Sequence, residues 1–323
     1  MNHLWRIIPV MLIALGFMLS WCPTEAAFPT KAIELVVAFP AGGATDVMMR
    51  PLAAAVSKDL GQQVVVVNKG GGSGTIGSGQ VARAKPDGYT ILVMQVGPGA
   101  SQPHMDEVPY KIDDFEPVML VFENPLFLVA GANTPWKNAK EFVEDAKKRP
   151  SAIAFGAAPM GGIPHLVMEL LRREGGFDVK TVPFQGGGPT ITALLGGHID
   201  VTSLNPAEVS PHVPTGKMRL LGVYNTERLK EFPDVPTLRE QGFDAVGAVW
   251  GGLVVPKGTP KEVQSTLHDA FKKGLENQQV KDAWAKLQTP IKYRTAGELL
   301  TVWKMDYDRY GALIRGLKKA GRI

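Results

Sequence analysis

The stretch "AIELVVAFPAGGATDVMMR" (residues 32–50) sets the reading of the whole chain. Residues 33–39 are a short apolar run that reads as a strand, and a helix near residues 45–60 follows. Between them stand two adjacent glycines, Gly42 and Gly43, which let the backbone turn sharply. Thr45 is placed to cap the helix, and Asp46 suits the positive end of the helix dipole. Pro51 lies inside the helical pattern and predicts a kink or a late start. The turn has two readings. It is a tight strand-to-helix connection, or it is a cradle in which free N–H groups at a helix start hold a carboxylate or phosphate.

The same order of strand, glycine bend and helix recurs downstream. "QVVVVN" (63–68) and "YTILVM" (89–94) read as strands of a first block. A second block begins near Asn124. Its strands are "PLFLVAGA" (125–132), "AIAFGAA" (152–158), "VKTVPF" (179–184), "VTSLN" (201–205) and "MRLLGVY" (218–224), with helices at 138–149, 165–176 and 189–200. The tail has a strand "VWGGLVVP" (249–256), a "TPKE" capping box at Thr259 to Glu262, and helices near 260–273, 277–287 and 296–317. This alternation predicts α/β units around mainly parallel sheets. The tail returns to the first block, so the chain crosses twice between two lobes, near 122–126 and 246–251. Lobe 1 is expected to hold 28–124 and 250–323, and lobe 2 to hold 125–249. With no flexible linker between them, the lobes share a ligand cleft and a hinge.

Two second-block bends, "APMGGIPHL" (158–166) and "PFQGGGP" (183–189), have the shape of the first turn. In open α/β sheets, ligands bind outside the carboxyl ends of the strands. One bend from the first lobe and two from the second therefore face each other across a cleft. Gly72, Gly74 and Gly77 in "NKGGGSGTIGSG" (68–79) have dinucleotide spacing. The acidic residue such a site requires is missing, since the next strand ends in Gln95. No phosphate-binding P-loop occurs in the chain. The six histidines, at 3, 104, 165, 198, 212 and 268, show no metal spacing, and neither Ser73 nor Ser78 sits in a nucleophile elbow. His165, at a helix start, reads as a capping or packing residue, and Met48 and Met49 as core and surface filler. No catalytic residue, metal or cofactor is expected.

The 323 residues carry a formal charge of +4, with 45% hydrophobic and 20% charged residues, which suits a globular protein large enough for two cores. No basic stripe interleaves with aromatics, so nucleic acid is not an expected partner. The N-terminus is different in kind. Arg6 precedes an apolar run from Ile7 to Trp21, and "TEAAF" follows. This is the layout of a secretory signal peptide covering residues 1–27, cleaved after Ala26 or Ala27. Cys22 is the only cysteine, and Trp21 just before it argues against lipid attachment. The cleaved chain has no cysteine and hence no disulfide.

Over the whole mature length the chain resembles the solute-binding proteins of tripartite tricarboxylate transporters, the TctC or Bug group. The resemblance rests on the order and spacing of "FPAGGATD", "VVVVNKGGGSGTIGSGQVARAKPDGYT", "VPFQGGGPTITALLGGHID" and "PDVPTLREQGF". It implies a two-lobed α/β periplasmic binding protein of type II, monomeric, with the ligand in the cleft between lobes. It implies capture of a small carboxylate and delivery to membrane permease subunits, without catalysis. Carried over to this chain, the first-lobe contacts are Phe39, Ala41, Gly42, Gly43, Thr45 and Asp46. Those of the second lobe are Met160, Gly161, Gly162, His165, Gln185, Gly186 and Gly188, with Asn205 after the next strand. Ile163 before Pro164 and the loop "MQVGPGASQPHM" (94–105) depart from the commoner pattern and bear on the ligand's far end. No arginine stands in these turns, so the carboxylate is expected to meet N–H dipoles, hydroxyls and water, which tolerate related acids. Two other readings stay open from sequence: a protein presenting its ligand to a membrane sensor kinase, and an exported enzyme acting on a carboxylate.

Overall fold

The computed structural model describes residues 28–157, 160–184 and 186–323. The first passage of chain holds β1 (Ile33–Val37), α1 (Ala44–Leu60), β2 (Val64–Asn68), α2 (Thr75–Ala82), β3 (Thr90–Gln95), α3 (Gln102–Met105) and β4 (Phe115–Pro125). The second holds β5 (Phe127–Gly131), α4 (Ala139–Lys148), β6 (Ala154–Ala157), α5 (Ile163–Gly175), β7 (Lys180–Pro183), α6 (Gly187–Leu195), β8 (Val201–Leu204), α7 (Pro206–Val209) and β9 (Met218–Val223). The tail adds β10 (Ala248–Pro256), α8 (Lys261–Glu276), α9 (Gln278–Lys286), β11 (Ile291–Thr295) and α10 (Ala296–Lys319). The expected signal peptide lies outside the described residues.

The strands form two sheets, in the orders β11-β4-β10-β3-β1-β2 and β7-β6-β8-β5-β9. The chain passes from the first sheet to the second between β4 and β5 and returns with β10. Neither sheet is mainly parallel, contrary to the expectation from the strand–helix alternation. β1 pairs parallel with β2 and β3, but β10 runs antiparallel between β3 and β4, and β11 runs antiparallel to β4. In the second sheet β6 is parallel to β7 and β8, while β5 is antiparallel to β8 and β9. The strands that carry the chain between sheets enter without a crossover helix, and this makes antiparallel pairing available.

Local details correct several sequence expectations. β4 and β11 were not anticipated. α1 starts at Ala44 and runs through Pro51, and its N-cap is Gly43, not Thr45. The helix after "TPKE" starts at Lys261 with Pro260 as N-cap and no side-chain cap, because the Thr259 hydroxyl donates instead to the Pro256 carbonyl at 2.7 Å. Met48 and Met49 are both core, with no surface role.

Among the described residues three apolar clusters hold the molecule together, and their distribution is uneven. The largest spans both sheets: Leu92 and Trp250 of the first share it with Phe155 and Leu166 of the second, and Trp303, Tyr310 and Leu317 of α10 complete it. α10 thus braces one side of the molecule, and just beyond it Arg322 reaches Asp178 at 2.8 Å. The other two clusters stay within one sheet each. One joins β1, α1, α8 and α9 through Leu35, Met49, Phe271 and Trp284. The other joins β5, α6 and β8 through Phe127, Leu194 and Leu204.

Candidate functional site

Strand direction decides which turns meet. β7, β6 and β8 are neighbours and parallel, so the chain leaves all three at the same edge of the second sheet. The turns before α6, α5 and α7 therefore stand side by side. In the first sheet, parallel β2, β1 and β3 bring Asn68, the Phe39–Thr45 turn and Gln95 to one edge. Phe39 and Met160 both pack on the cluster that spans the two sheets. Gly161 meets the first sheet's α3: a Cβ on it would lie 2.5 Å from Met105 Cε.

Helix N-termini leave backbone N–H groups without partners. α4, α7, α9 and α10 satisfy one with the side chain of Asn138, Asn205, Asn277 or Thr295. α2, α3 and α8 have no side-chain cap, and neither have α1, α5 and α6, which begin at Gly43, Gly162 and Gly186. The last three helices follow the glycine bends picked out from sequence.

The first turn is braced from within. Gly42 has φ of 79°, a left-handed conformation that glycine takes without strain. Its N–H donates to Asp46 Oδ2 at 2.8 Å, and Arg50 holds the same carboxylate through Nε and Nη2 at 3.1 and 2.7 Å. Burial pushes the Asp46 carboxyl up, but Gly42, Arg50 and Asn68 together outweigh it and keep it below the usual carboxylate value. Asp46 therefore serves as an internal brace for the turn. The groups left to a ligand are the amides at the start of α1. Arg50 also donates to Asn68 Oδ1 at 3.1 Å, and Asn68 Nδ2 to the Phe39 carbonyl at 3.2 Å. The buried Gln95 amide donates to the Thr45 hydroxyl. Arg50, Asn68 and Gln95 were not among the sequence candidates. Ala41 is exposed beside the glycines.

In the second sheet, His165 is buried and its Nδ1 accepts from the Gly161 N–H at 3.1 Å, which matches the capping or packing role read from sequence. Gly161 has φ of 73°. The other ring nitrogen, Nε2, faces Glu169 Oε1 at 3.7 Å. Glu169 is buried too. Its Oε1 has no hydrogen-bond partner, while Oε2 accepts from Arg172 at 2.8 Å. Gly186 and Gly188 border open space, whereas a Cβ on Gly187 would collide with Glu208 Oε1. Asn205 closes a capping box with Glu208: the Asn205 N–H donates to Glu208 Oε2 at 2.9 Å, and the Glu208 N–H to Asn205 Oδ1 at 3.3 Å. Burial raises the Glu208 carboxyl against the effect of the Asn205 N–H. Glu208 was missed from sequence, since only the fold sets it against Gly187. Gln185 lies outside the described residues.

Burial holds the His165 ring below its ordinary value of 6.5, with Glu169 opposing and Arg322 and Arg172 adding to the depression. The neutral ring is the folded form. Its contribution is complete above pH about 6.5 and is lost as pH falls through the depressed folded value, because a protonated ring has no lone pair for Gly161. From about pH 7.5 to 5, the wild-type melting temperature should fall more steeply than that of His165→Asn, whose Oδ1 keeps an acceptor. Parallel slopes for the two proteins would remove His165 from the pH response.

A cavity of about 690 Å³ lies between elements of the two sheets. Its walls include Pro206, Leu229 and Phe232 from the second sheet's side and Leu275, Trp284 and Tyr293 from the first. None of the turn residues named from sequence lines it. Among the described residues, no group of three or more His, Cys, Asp or Glu is arranged to hold a metal ion. No helix among them is long and apolar enough to cross a membrane.

The sequence profile of the tripartite tricarboxylate transporter family receptor matches residues 48–318. BugT of Bordetella pertussis is 32% identical over 292 residues, 88% of each chain. A TctC solute-binding protein from Polaromonas superposes with a TM-score of 0.83 at 34% identity, over 90% of this chain and 100% of that one. MatC from Rhodopseudomonas palustris with bound malate gives 0.73 at 29% identity, over 89% and 100% of the two chains. Rpa4515 from the same organism, with adipate, gives 0.75 at 26%, over 91% and 98%.

Proposed function

The chain belongs to the tripartite tricarboxylate transporter receptor family, and from that premise we propose that it is a periplasmic protein that captures a small organic carboxylate and hands it to the family's membrane permease. One observation carries the reading. α1, α5 and α6 follow glycine bends at the outlets of parallel strands and start without side-chain caps. Their amide groups are donors with a favourable dipole for an anion. In this reading the ligand lies between the Phe39–Asp46 turn and the turns at Met160–His165 and Gln185–Gly188, with Asn205 beside it. The malate and adipate bound to two relatives are small organic acids and support that class of ligand. Export would proceed through cleavage of residues 1–27, giving a monomer without a cysteine. The lobes are taken as 28–124 with 250–323, and 125–249. The role is binding and delivery, with no catalytic step.

A ligand that touches both lobes makes more contacts when they are closed, so it shifts the population that way. The cluster shared by both sheets braces one side, so the lobes would close from the other. At a hundredfold excess over its dissociation constant, a true ligand stabilises the native state by about 2.7 kcal/mol. A thermal-shift screen of mono-, di- and tricarboxylates should therefore pick out acids that raise the melting temperature by several degrees. The same acids should reduce the radius of gyration in solution scattering. Stabilisation without compaction would rule out closure, and a screen with no stabilising acid would rule out carboxylate capture.

A further inference from the structure

The 690 Å³ cavity lies where two apolar clusters of different sheets approach without merging. Leu229 and Phe232 pack on the second sheet's own cluster, and Leu275, Trp284, Ile291 and Tyr293 belong to or pack on the first sheet's. All six line the cavity. Its volume is that of a pocket for a small organic molecule, and its walls are apolar and aromatic, as such pockets are. Elements that carry the proposed carboxylate site border both walls. Trp284 Nε1 donates to the Met48 carbonyl at 2.9 Å, within the first turns of α1, and Pro206 directly follows Asn205. The rim carries Lys272 and Lys281 but also Glu231 and Glu276, so its charges cancel and select no second acid group.

Resting on the carboxylate reading, we propose that the ligand is a carboxylic acid with an uncharged aromatic or branched apolar body. The acid group lies at the glycine turns, and the body fills this cavity and bridges the two clusters. Apolar area removed from water on both faces of the body then adds to the affinity the amides supply. It also separates this ligand from compact acids such as malate, which have nothing to place there.

The test is titration calorimetry of the full mature chain with malate, succinate, phenylacetate, 3-phenylpropionate and 4-phenylbutyrate. One member of the phenyl series is expected to bind at least tenfold tighter than malate or succinate. Ala285→Trp fills the cavity from an exposed position of α9. It should abolish that preference and leave the binding of the compact acids within about twofold. The inference is overturned if the compact acids bind as tightly as every phenyl acid, or if Ala285→Trp leaves the phenyl preference intact. If no acid of either kind binds, the apolar-body assignment is lost, and the carboxylate reading falls with it only if the broader thermal-shift screen is also empty. If only the compact acids bind, that reading stands and the apolar-body assignment alone is lost. Ser210→Phe, which fills the cavity from the opposite wall, repeats the test should Ala285→Trp fail to fold.

Discussion

Replacing Gly43 with valine is expected to weaken carboxylate binding by a hundredfold or more while the protein stays folded. Gly43 has φ of −71° and ψ of 163°, a region open to any residue. A Cβ there would sit 3.3 Å from the Pro40 carbonyl oxygen, which a shift of a few tenths of an ångström relieves. The fold therefore has little reason to object. The ligand does, because the branched side chain would stand over the amides that open α1. Each hydrogen bond to a charged group contributes about 1.5–3 kcal/mol, so losing two costs roughly 3–6 kcal/mol. At about 1.4 kcal/mol per tenfold, that is on the order of a hundredfold to ten-thousandfold in affinity. Gly42 is a poorer choice for the test, since its positive φ would strain any replacement and confuse folding with binding. Calorimetry with an acid found by the thermal-shift screen, together with circular dichroism, decides the matter. A folded Gly43→Val protein with wild-type affinity would take this turn out of the site.

Trp303→Ala should destabilise the native state by about 3–5 kcal/mol, the usual cost of removing a fully buried large aromatic. The ring is 1% exposed, and its centroid lies 6.1 Å from that of Phe115 and 6.3 Å from that of Trp250. Its Nε1 donates to the Gly99 carbonyl at 2.8 Å, so truncation also strips a partner from a buried backbone group. Trp303 lies in the cluster that spans both sheets, and the loss should be felt by the molecule as a whole. In urea the transition midpoint should move down with little change in slope. A shift worth less than about 1 kcal/mol would show that α10 does not brace the two sheets. Trp303→Phe, which keeps part of the ring and loses the hydrogen bond, should fall in between.

The sequence was most legible where structure is local. An apolar run, a glycine bend and a helical pattern lie next to one another in the chain, and their meaning depends on nothing distant. The turns before α1, α5 and α6 were read at the right places for that reason. β4 was missed although "FEPVMLVFENP" holds the apolar run from Val118 to Phe122, because Pro117 and Pro125 bracket that run and read as loop punctuation. β11, "IKYRT", is an edge strand half open to solvent, and it lacks the apolar run that marks a buried one. Thr45 shows the limit of a local rule. Its type suits a cap, but the chain enters the helix earlier, at Gly43, and the Thr45 hydroxyl is taken by Gln95.

What the sequence by itself determined is the two-lobed α/β class, the glycine turns and, through the resemblance they carry, the family. What the tertiary structure alone decided is how those turns are braced and what lies between the lobes. Gln95 and Thr45 are 50 residues apart and Asn68 and Phe39 are 29 apart, and they meet only because β2, β1 and β3 lie side by side in parallel. Glu208 reaches Gly187 because β8 and β7 flank β6. The cavity walls come from Pro206 to Phe232 on one side and Lys272 to Tyr293 on the other, and no pattern in either segment announces the gap between them. Hydrophobic periodicity records which face of an element is buried, but not which element buries it. That choice belongs to the packing of whole sheets, where the shared cluster joins the lobes on one side and leaves two separate clusters facing each other on the other.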